Sequence, residues 1–206
     1  FEWVVQQIRE RLGVNAVAVQ LPLGQEAELR GVIDLIEMKA ITFDDKSQGI
    51  AMTVGDIPAD FATKAEQARA KLVEALAEKD EQIIQDYLTN PDVAAASVRA
   101  AVRRLTVAGQ LVPVLCGSSL HNKGVQPLLD AVVDFLPSPI DIPAVKGHAL
   151  KDNAVIDRKT SDFEPLSALA FKIANDPYVG KLIYVRVYSG VLKKGQNAFN
   201  PRTRKR

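Results

Sequence analysis

One stretch of the chain, residues 111–139, constrains the fold more than any other. It opens with an apolar run, residues 111–116, passes through Gly117-Ser118-Ser119, and continues as a segment that ends at Leu136-Pro137-Ser138-Pro139. The apolar residues of that segment recur at helical spacing: Leu128, Val132 and Phe135. A buried strand that leads through a small-residue turn into a helix is the repeating unit of an α/β sheet. Ligands of such sheets bind beyond the carboxyl ends of the strands, where this turn would lie.

Before this stretch, the chain opens with a helix pattern and continues with strand patterns. Residues 2–12 have one apolar helical face, and Gly13 follows as a stop signal. Alternation of apolar and polar residues then predicts a strand over residues 15–21. After a turn, similar patterns predict three more short strands, over residues 29–35, 38–43 and 50–54.

Helical patterns dominate the next part. Apolar residues spaced by three and four predict a long helix over residues 61–76, with Asp60 as its N-cap and a charged opposite face. Two amphipathic helices follow. The second is predicted to begin at Asn90-Pro91, with asparagine as the cap and proline in the first turn, and to end at Gly109. The pattern as a whole predicts an α/β fold.

The C-terminal part has a different character. Residues 138–164 contain Pro139, Pro143 and scattered charges and show no clear period, which predicts a linker. Residues 165–174 and 182–188 alternate, with Asp176-Pro177 as the turn between them, and a further strand is predicted after Ser189-Gly190. Strands and turns without helices are typical of the start of a small antiparallel barrel.

Composition and charge limit the class of protein. The single cysteine, Cys116, excludes an internal disulfide, so we expect a reducing, cytoplasmic setting. No apolar run approaches the length of a membrane span, and the first residues do not form a secretory signal. Residues 1–150 carry 14 Lys/Arg and 20 Asp/Glu, whereas residues 151–206 carry 12 and 5. The basic C-terminal part is either a surface that meets a polyanion or a solvated face with a basic tail.

The turn Gly117-Ser118-Ser119 has two interpretations. Small residues let the backbone approach a flat ring, and successive N–H groups at the start of a turn can point at a carbonyl oxygen such as guanine O6. The alternative is an ordinary connection in which a serine caps the following helix. By itself the pattern does not decide between them.

The wider context carries a family resemblance. Residues 116–139 resemble, nearly residue for residue, the fifth guanine-nucleotide motif of the ribosomal GTPases, and of the elongation factor G family in particular. The family pattern begins Cys-Gly-Ser-Ala-Leu-x-Asn-Lys-Gly-Val-Gln, and Ser119 stands where alanine is usual. Residues 1–13 resemble the helix after the family's fourth motif. Further segments resemble the family's inserted subdomain (20–24, 31–35 and 57–60) and the opening of its second domain (165–174, 176–180 and 186–190).

This resemblance implies a domain organisation and a role. Residues 1–20 and 110–137 would be the C-terminal part of a P-loop-type GTPase domain, and residues 21–109 its inserted α+β subdomain. Residues 138–164 would be a linker, and residues 165–206 the start of the second domain, a β-barrel. The chain would be the central piece of a monomeric GTPase that promotes tRNA–mRNA translocation or ribosome recycling.

The resemblance also implies ligands and partners. The parent would bind GTP or GDP with Mg²⁺, and its guanine-base contacts would be Gly117, Ser118, Ser119 and Leu120. The stalk protein of the large ribosomal subunit would meet Glu66, Arg69, Glu74 and Glu78. Ribosomal RNA would meet Lys172, Lys181, Arg186, Lys193 and Lys194 through phosphate contacts. For each surface set, the alternative is a solvated face.

Other parts of a nucleotide site are missing from the sequence. It contains no G-x-x-x-x-G-K-[ST] phosphate loop and no Asp-x-x-Gly segment. Asn122-Lys123-Gly124-Val125 is not the guanine motif Asn-Lys-x-Asp, because valine cannot accept hydrogen bonds from the base. Phosphoryl transfer needs a phosphate cradle, a Mg²⁺ ligand and a group that positions water. We therefore expect no catalytic or metal-binding residue here, no tight nucleotide binding and no GTP hydrolysis by this chain alone.

Three rival functions stay open at this stage, and one of them is a globular domain with no nucleotide role. The chain could be a non-catalytic module that binds the ribosome through its helical and barrel surfaces. It could also come from a related ribosomal GTPase, one that recycles release factors or protects against tetracycline.

Overall fold

The computed structural model of the chain describes residues 1–149 and 152–206, and it is a mixed α/β structure with several small sheets. Two compact units divide the chain, Phe1–Leu136 and Pro137–Arg206. The helices of the first unit are α1 (Glu2–Leu12), α2 (Ala59–Ala77), α3 (Glu81–Thr89), α4 (Ala95–Val107) and α5 (Val125–Phe135). Its strands are β1 (Ala16–Ala18), β2 (Gln20–Leu23), β3 (Gly31–Asp34), β4 (Lys39–Phe43), β5 (Met52–Gly55) and β6 (Val112–Val114).

The strands of the first unit form two sheets. Strands β1 and β6 pair in parallel, and β2, β3, β4 and β5 form an antiparallel meander in that order. The single strand predicted over residues 15–21 is split at Val19, where the chain passes from one sheet to the other. The Val19 N–H donates to the Val114 carbonyl at 3.0 Å, and its carbonyl accepts from the Leu35 N–H at 3.0 Å. Val19 therefore joins the two sheets through its backbone.

Two predicted helix starts are wrong by a few residues. Pro58, not Asp60, holds the N-cap position of α2, and Asp60 lies in the first turn. Helix α4 starts at Ala95 rather than at Asn90-Pro91, because the Asn90 side chain accepts from the Asp92 N–H at 3.0 Å and closes a turn before the helix. The predicted helix at residues 2–12 is α1, which ends at Gly13 in the left-handed conformation.

The core of the first unit lies between α2, α3, α4 and the sheets. The apolar faces of these helices supply fully buried side chains, among them Leu72, Leu76, Ile83, Val98 and Val102. These positions carry the predicted helical spacing, so burial of one stripe per helix drives their packing.

One ion pair fixes the register of α3 against α4. Asp80 caps α3 by accepting from the Ile83 N–H at 3.2 Å, and the Arg104 guanidinium donates to both carboxylate oxygens at 2.9 Å. The Asp80 side chain is only 7% exposed. The hydrogen bonds from Arg104 hold the pKa of Asp80 below its usual value, against the opposing effect of burial.

The second unit consists of two antiparallel hairpins. Strands β7 (Val145–His148) and β8 (Val155–Arg158) form the first, and β9 (Ser167–Asp176) and β10 (Gly180–Ser189) form the second. The predicted turn at Asp176-Pro177 is present, and its carboxylate accepts from the N–H groups of Tyr178 and Val179. The predicted linker over residues 138–164 contains the first hairpin. These strands are too short for alternation to mark them.

No strand follows β10 in the described part of the second unit, where one was predicted. Only an isolated bridge between Asn200 and Lys205 occurs there. Across residues 1–149 and 152–206, none of the helices has both the length and the apolar character that crossing a bilayer requires.

Replacing Asp80 tests the α3–α4 pair. Asp80→Asn should lower the free energy of unfolding near neutral pH by about 1–3 kcal/mol, because Arg104 and the α3 N-terminus lose a charged acceptor. The folded pKa is lowered, so this contribution is present above the unfolded pKa of about 3.9 and is lost as the pH falls through the folded value. Urea unfolding across acid pH measures the difference, which should shrink toward low pH. A difference that stays constant would contradict this account, and Glu66→Gln, an exposed change on α2, is the control.

Candidate functional site

The predicted site is a closed loop between β6 and α5. The Ser118 N–H donates to the Lys123 carbonyl at 2.8 Å, and the Lys123 N–H donates back to the Ser118 carbonyl at 2.9 Å. Between them, Ser119–His121 forms one 3₁₀ turn, which ends at Asn122 in the left-handed conformation. We call residues 117–124 the base loop.

Two glycines allow the ends of the base loop to approach each other. A Cβ on Gly117 would lie 2.5 Å from the Lys123 carbonyl oxygen, and a Cβ on Gly124 would lie 2.8 Å from the Cys116 carbonyl oxygen. Gly124 also has a φ of 86°, which disfavours any other residue. The glycines are therefore needed for closure of the loop.

The backbone donors of the base loop are not equivalent. Ser118 was predicted as a base contact, but its N–H is used by Lys123. The N–H groups of Ser119 and Leu120 stand in the first turn of the 3₁₀ helix and have no acceptor within the described residues. The alternative, a serine that caps the following helix, is wrong, because Gly124 holds the N-cap position of α5 and no side chain caps it. The loop therefore presents two adjacent free donors.

The surroundings of these donors are small or apolar. Gly117 and Ser119 are exposed, Ser118 is partly exposed, and the Leu120 side chain is 86% exposed beside them. Burial raises the pKa of the Cys116 thiol to about 12, so it stays neutral and does not act as a nucleophile near neutral pH.

The base loop is tied at its far end to distant parts of the first unit. The Lys123 ammonium donates to the Leu29 carbonyl at 2.9 Å and pairs with Asp45 at 2.7 Å. The Gln126 amide donates to the Gly49 carbonyl at 2.8 Å. Sequence reasoning missed these contacts, because it considered Lys123 only as part of a possible guanine motif and its partners are far away in the chain.

The predicted stalk-protein contacts lie along α2. Glu66, Glu74 and Glu78 are exposed. Arg69 instead turns inward and donates to the carbonyls of Leu35, at 2.8 Å, and Val93, at 2.7 Å. Burial lowers the pKa of this guanidinium. Arg69, Glu66 and Glu74 share a groove of about 840 Å³ whose other lining residues include Met38, Val73 and Tyr87.

The predicted RNA contacts are all exposed in the second unit. Lys172 lies over the ring of Tyr184 at 5.7 Å, and Arg186 lies over the ring of Tyr188 at 5.1 Å. Lys172 and Tyr184 are directly paired across β9 and β10. Of the other three, Lys181 lies near the start of β10, and Lys193 and Lys194 lie in the turn after it. The structure thus forms a combined cationic and aromatic surface at two of the five positions.

Comparison with known proteins gives a fold relationship. No protein-family model matches the sequence. A crystal structure of a protein from Thermus thermophilus is similar to the chain with a TM-score of 0.70 and 26% sequence identity. The match covers 95% of this chain and 26% of that protein. The chain therefore spans about a quarter of the length of this structural relative.

Gly117→Ala tests whether the base loop is closed as described. The added Cβ meets backbone rather than a flexible side chain, so we expect the free energy of unfolding to fall by about 1–3 kcal/mol. Gly55→Ala is the matched control, because nothing lies within 4 Å of its Cβ. Thermal or urea unfolding of the 206-residue chain measures both. Equal stability of the two variants would contradict the closed loop.

Proposed function

We propose that the chain is the central part of a ribosomal GTPase of the elongation factor G kind, and that its base loop holds the guanine base. The observation that carries the proposal is the pair of free N–H groups, Ser119 and Leu120, at the carboxyl end of β6. The resemblance of residues 116–139 to the family's fifth motif supports the same role for the same residues.

Each residue of the base loop has a proposed part. The Ser119 N–H donates to guanine O6, with the Leu120 N–H next to it. The exposed Leu120 side chain covers one face of the base, and Gly117 leaves room for the ring. Ser118 shapes the loop through its backbone, and its hydroxyl is free of a capping role. A neutral carbonyl acceptor is what these donors fit, and an amino group at the same ring position would be rejected.

We propose the domain organisation that the resemblance implies. Residues 1–20 and 110–137 belong to the GTPase domain, residues 21–109 form its inserted subdomain, and the hairpin of β9 and β10 opens the second domain. The outer face of α5 supports a larger GTPase domain, because its exposed apolar side chains would pack against more protein: Leu128, Leu129, Val132 and Val133.

The chemistry of hydrolysis lies outside this chain in our proposal. Among the residues that the structure describes, no group of three His, Cys, Asp or Glu side chains gathers to hold a metal ion. We therefore assign no residue here to Mg²⁺ and no step of phosphoryl transfer. The complete protein would bind GTP, and the chain would contribute the base contact and transmit the state of the GTPase domain to the second domain.

The partners of the complete protein would be the stalk protein and ribosomal RNA. Glu66 and Glu74 on the exposed face of α2 line the groove described above, and with the exposed Glu78 they suit a basic partner helix. We assign Arg69 to support of the groove wall, since its guanidinium is engaged inside. The cationic and aromatic surface around Lys172 and Arg186 suits a phosphate backbone.

A second candidate function is a ribosome-binding module without a nucleotide. The α2 groove and the basic hairpin of β9 and β10 favour it, because they would then be the functional surfaces. If the chain instead comes from a related ribosomal GTPase, one that recycles release factors or protects against tetracycline, the base loop would bind guanine in the same way. A complete protein that binds ribosomes but no guanine nucleotide would favour the module.

Replacing Ser119 tests the base contact directly. Proline removes the N–H but suits the first position of a helical turn, and Ser118 already has the extended conformation that proline requires before it. In the complete protein, Ser119→Pro should weaken GDP binding about tenfold or more, because O6 loses its donor. Ser119→Ala keeps the donor and is the control, with affinity close to wild type. Equal GDP affinity of the two variants would remove the proposed role.

A second experiment tests the basic surface. Binding of the 206-residue chain to a single-stranded RNA should weaken linearly with the logarithm of salt concentration. The double variant Lys172→Gln with Arg186→Gln should reduce that slope by the amount expected for the loss of about two phosphate contacts. Lys159→Gln with Lys146→Gln, outside β9 and β10, is the charge-matched control. Salt-independent binding, or an unchanged slope in the first pair, would contradict phosphate contact at this surface.

A further inference from the structure

The loop between β4 and β5, residues 44–51, lies against the far end of the base loop. It is built by Asp44, whose carboxylate accepts from the N–H groups of Lys46 and Ser47 and closes a short 3₁₀ turn. Asp45 and Gly49 then face the base loop, and both belong to the part of the chain that we propose as the inserted subdomain. Two contacts join the two loops, and a third joins the β4–β5 loop to Gln126 in the first turn of α5.

The first contact is the Lys123 side chain. It is only 10% exposed, and its ammonium is held between the Leu29 carbonyl and the Asp45 carboxylate. A buried ammonium is costly unless it is paired, so these acceptors fix where it lies. Since the Lys123 backbone makes both hydrogen bonds that close the base loop, the same residue is held at both ends.

The second and third contacts involve Gly49. It has a φ of 78°, and a Cβ there would overlap the carbonyl of Asn122, the residue that ends the 3₁₀ turn of the base loop. Its own carbonyl accepts from the Gln126 amide at 2.8 Å. The backbones of the two loops are thus packed without an intervening side chain, and a small shift of one displaces the other.

We propose that the β4–β5 loop is the positioning element of the base loop, with Lys123 and Gly49 as its positioning residues. It sets the place of the Ser119 and Leu120 donors and therefore the affinity for the base. This rests on the proposed function. Coupling of this kind is reciprocal: a partner that moves the β4–β5 loop changes the affinity for guanine nucleotide, and nucleotide changes the affinity for that partner by the same factor.

The first test needs no nucleotide. Amide hydrogen exchange of Ser118 and Lys123, whose N–H groups close the base loop, is measured in the 206-residue chain for Gly49→Ala and for Gly55→Ala, where the added Cβ meets nothing. Exchange should become about tenfold faster or more in Gly49→Ala and stay unchanged in the control. Asp45→Asn should act in the same direction. Glu26→Gln is its control, since Glu26 forms no ion pair within the described residues.

The second test measures the consequence for the base in the complete protein. GDP is compared with the diphosphate of 2-aminopurine riboside, whose base lacks O6. Gly49→Ala should weaken GDP binding about tenfold and binding of the analogue clearly less, because both ligands use the Leu120 side chain but only GDP uses the displaced donors. A merely structural defect would weaken both ligands equally. Asp45→Asn gives a second variant if Gly49→Ala folds poorly.

The outcomes separate the two proposals. Wild-type exchange rates in both Gly49→Ala and Asp45→Asn would overturn the positioning role. Faster exchange with equal losses of affinity for GDP and the analogue, or with no loss of affinity, would overturn the link between the β4–β5 loop and base binding. A complete wild-type protein that binds no guanine nucleotide would remove the proposed function, and the exchange data would still decide whether the β4–β5 loop positions residues 118–123.

Discussion

The buried ammonium of Lys123 is the contact on which the candidate site depends. Its backbone closes the base loop against Ser118, and its side chain ties that loop to the Leu29 carbonyl and to Asp45. Asp45 is 81% exposed, so the pair itself is a weak source of stability. The pair instead fixes the position of the Lys123 side chain, because a buried ammonium without an acceptor is costly.

The rest of the first unit supplies a rigid frame for this contact. The apolar stripes of α2, α3 and α4 pack with the strands into one core, and Asp80 with Arg104 fixes the register of two of these helices. Val19 links the parallel pair that carries the base loop to the antiparallel meander that carries the β4–β5 loop. Because both loops leave sheets joined at one backbone position, their separation is set by the fold and not by the loops alone.

Local patterns predicted those parts of the structure that depend on near neighbours in the chain. Helix α1 and the turn at Asp176 lie where they were predicted, because each is determined by residues close in sequence. Helical spacing determines α1, and the Asp176 carboxylate closes the turn. The split at Val19 was missed, because alternation shows which face is buried but not which strand is the partner. The start of α4 was missed because the Asn90 side chain can cap a helix or close a turn, and the two look alike in sequence.

The candidate site shows the same division. The place of the base loop was predicted from an apolar run, small residues and a helix. The loss of the Ser118 N–H to Lys123 was not, because it depends on how the loop folds back on itself. Local sequence patterns also do not predict that Arg69 turns inward to the Leu35 carbonyl. Nor do they predict the contact of Lys123 with Leu29, which lies 94 residues away in the chain. The partner of a long polar side chain is determined by the tertiary structure around it and not by its neighbours in the sequence.

The central claim is that the Ser119 N–H meets the oxygen of a guanine base. The most direct measurement is the amide proton shift of Ser119 in the complete, isotope-labelled protein as GDP is added. Our account predicts a downfield shift with GDP and none with the analogue that lacks O6, because only a hydrogen bond to that oxygen draws the proton. Binding of GDP with no change at Ser119, or the same change with both ligands, would contradict it.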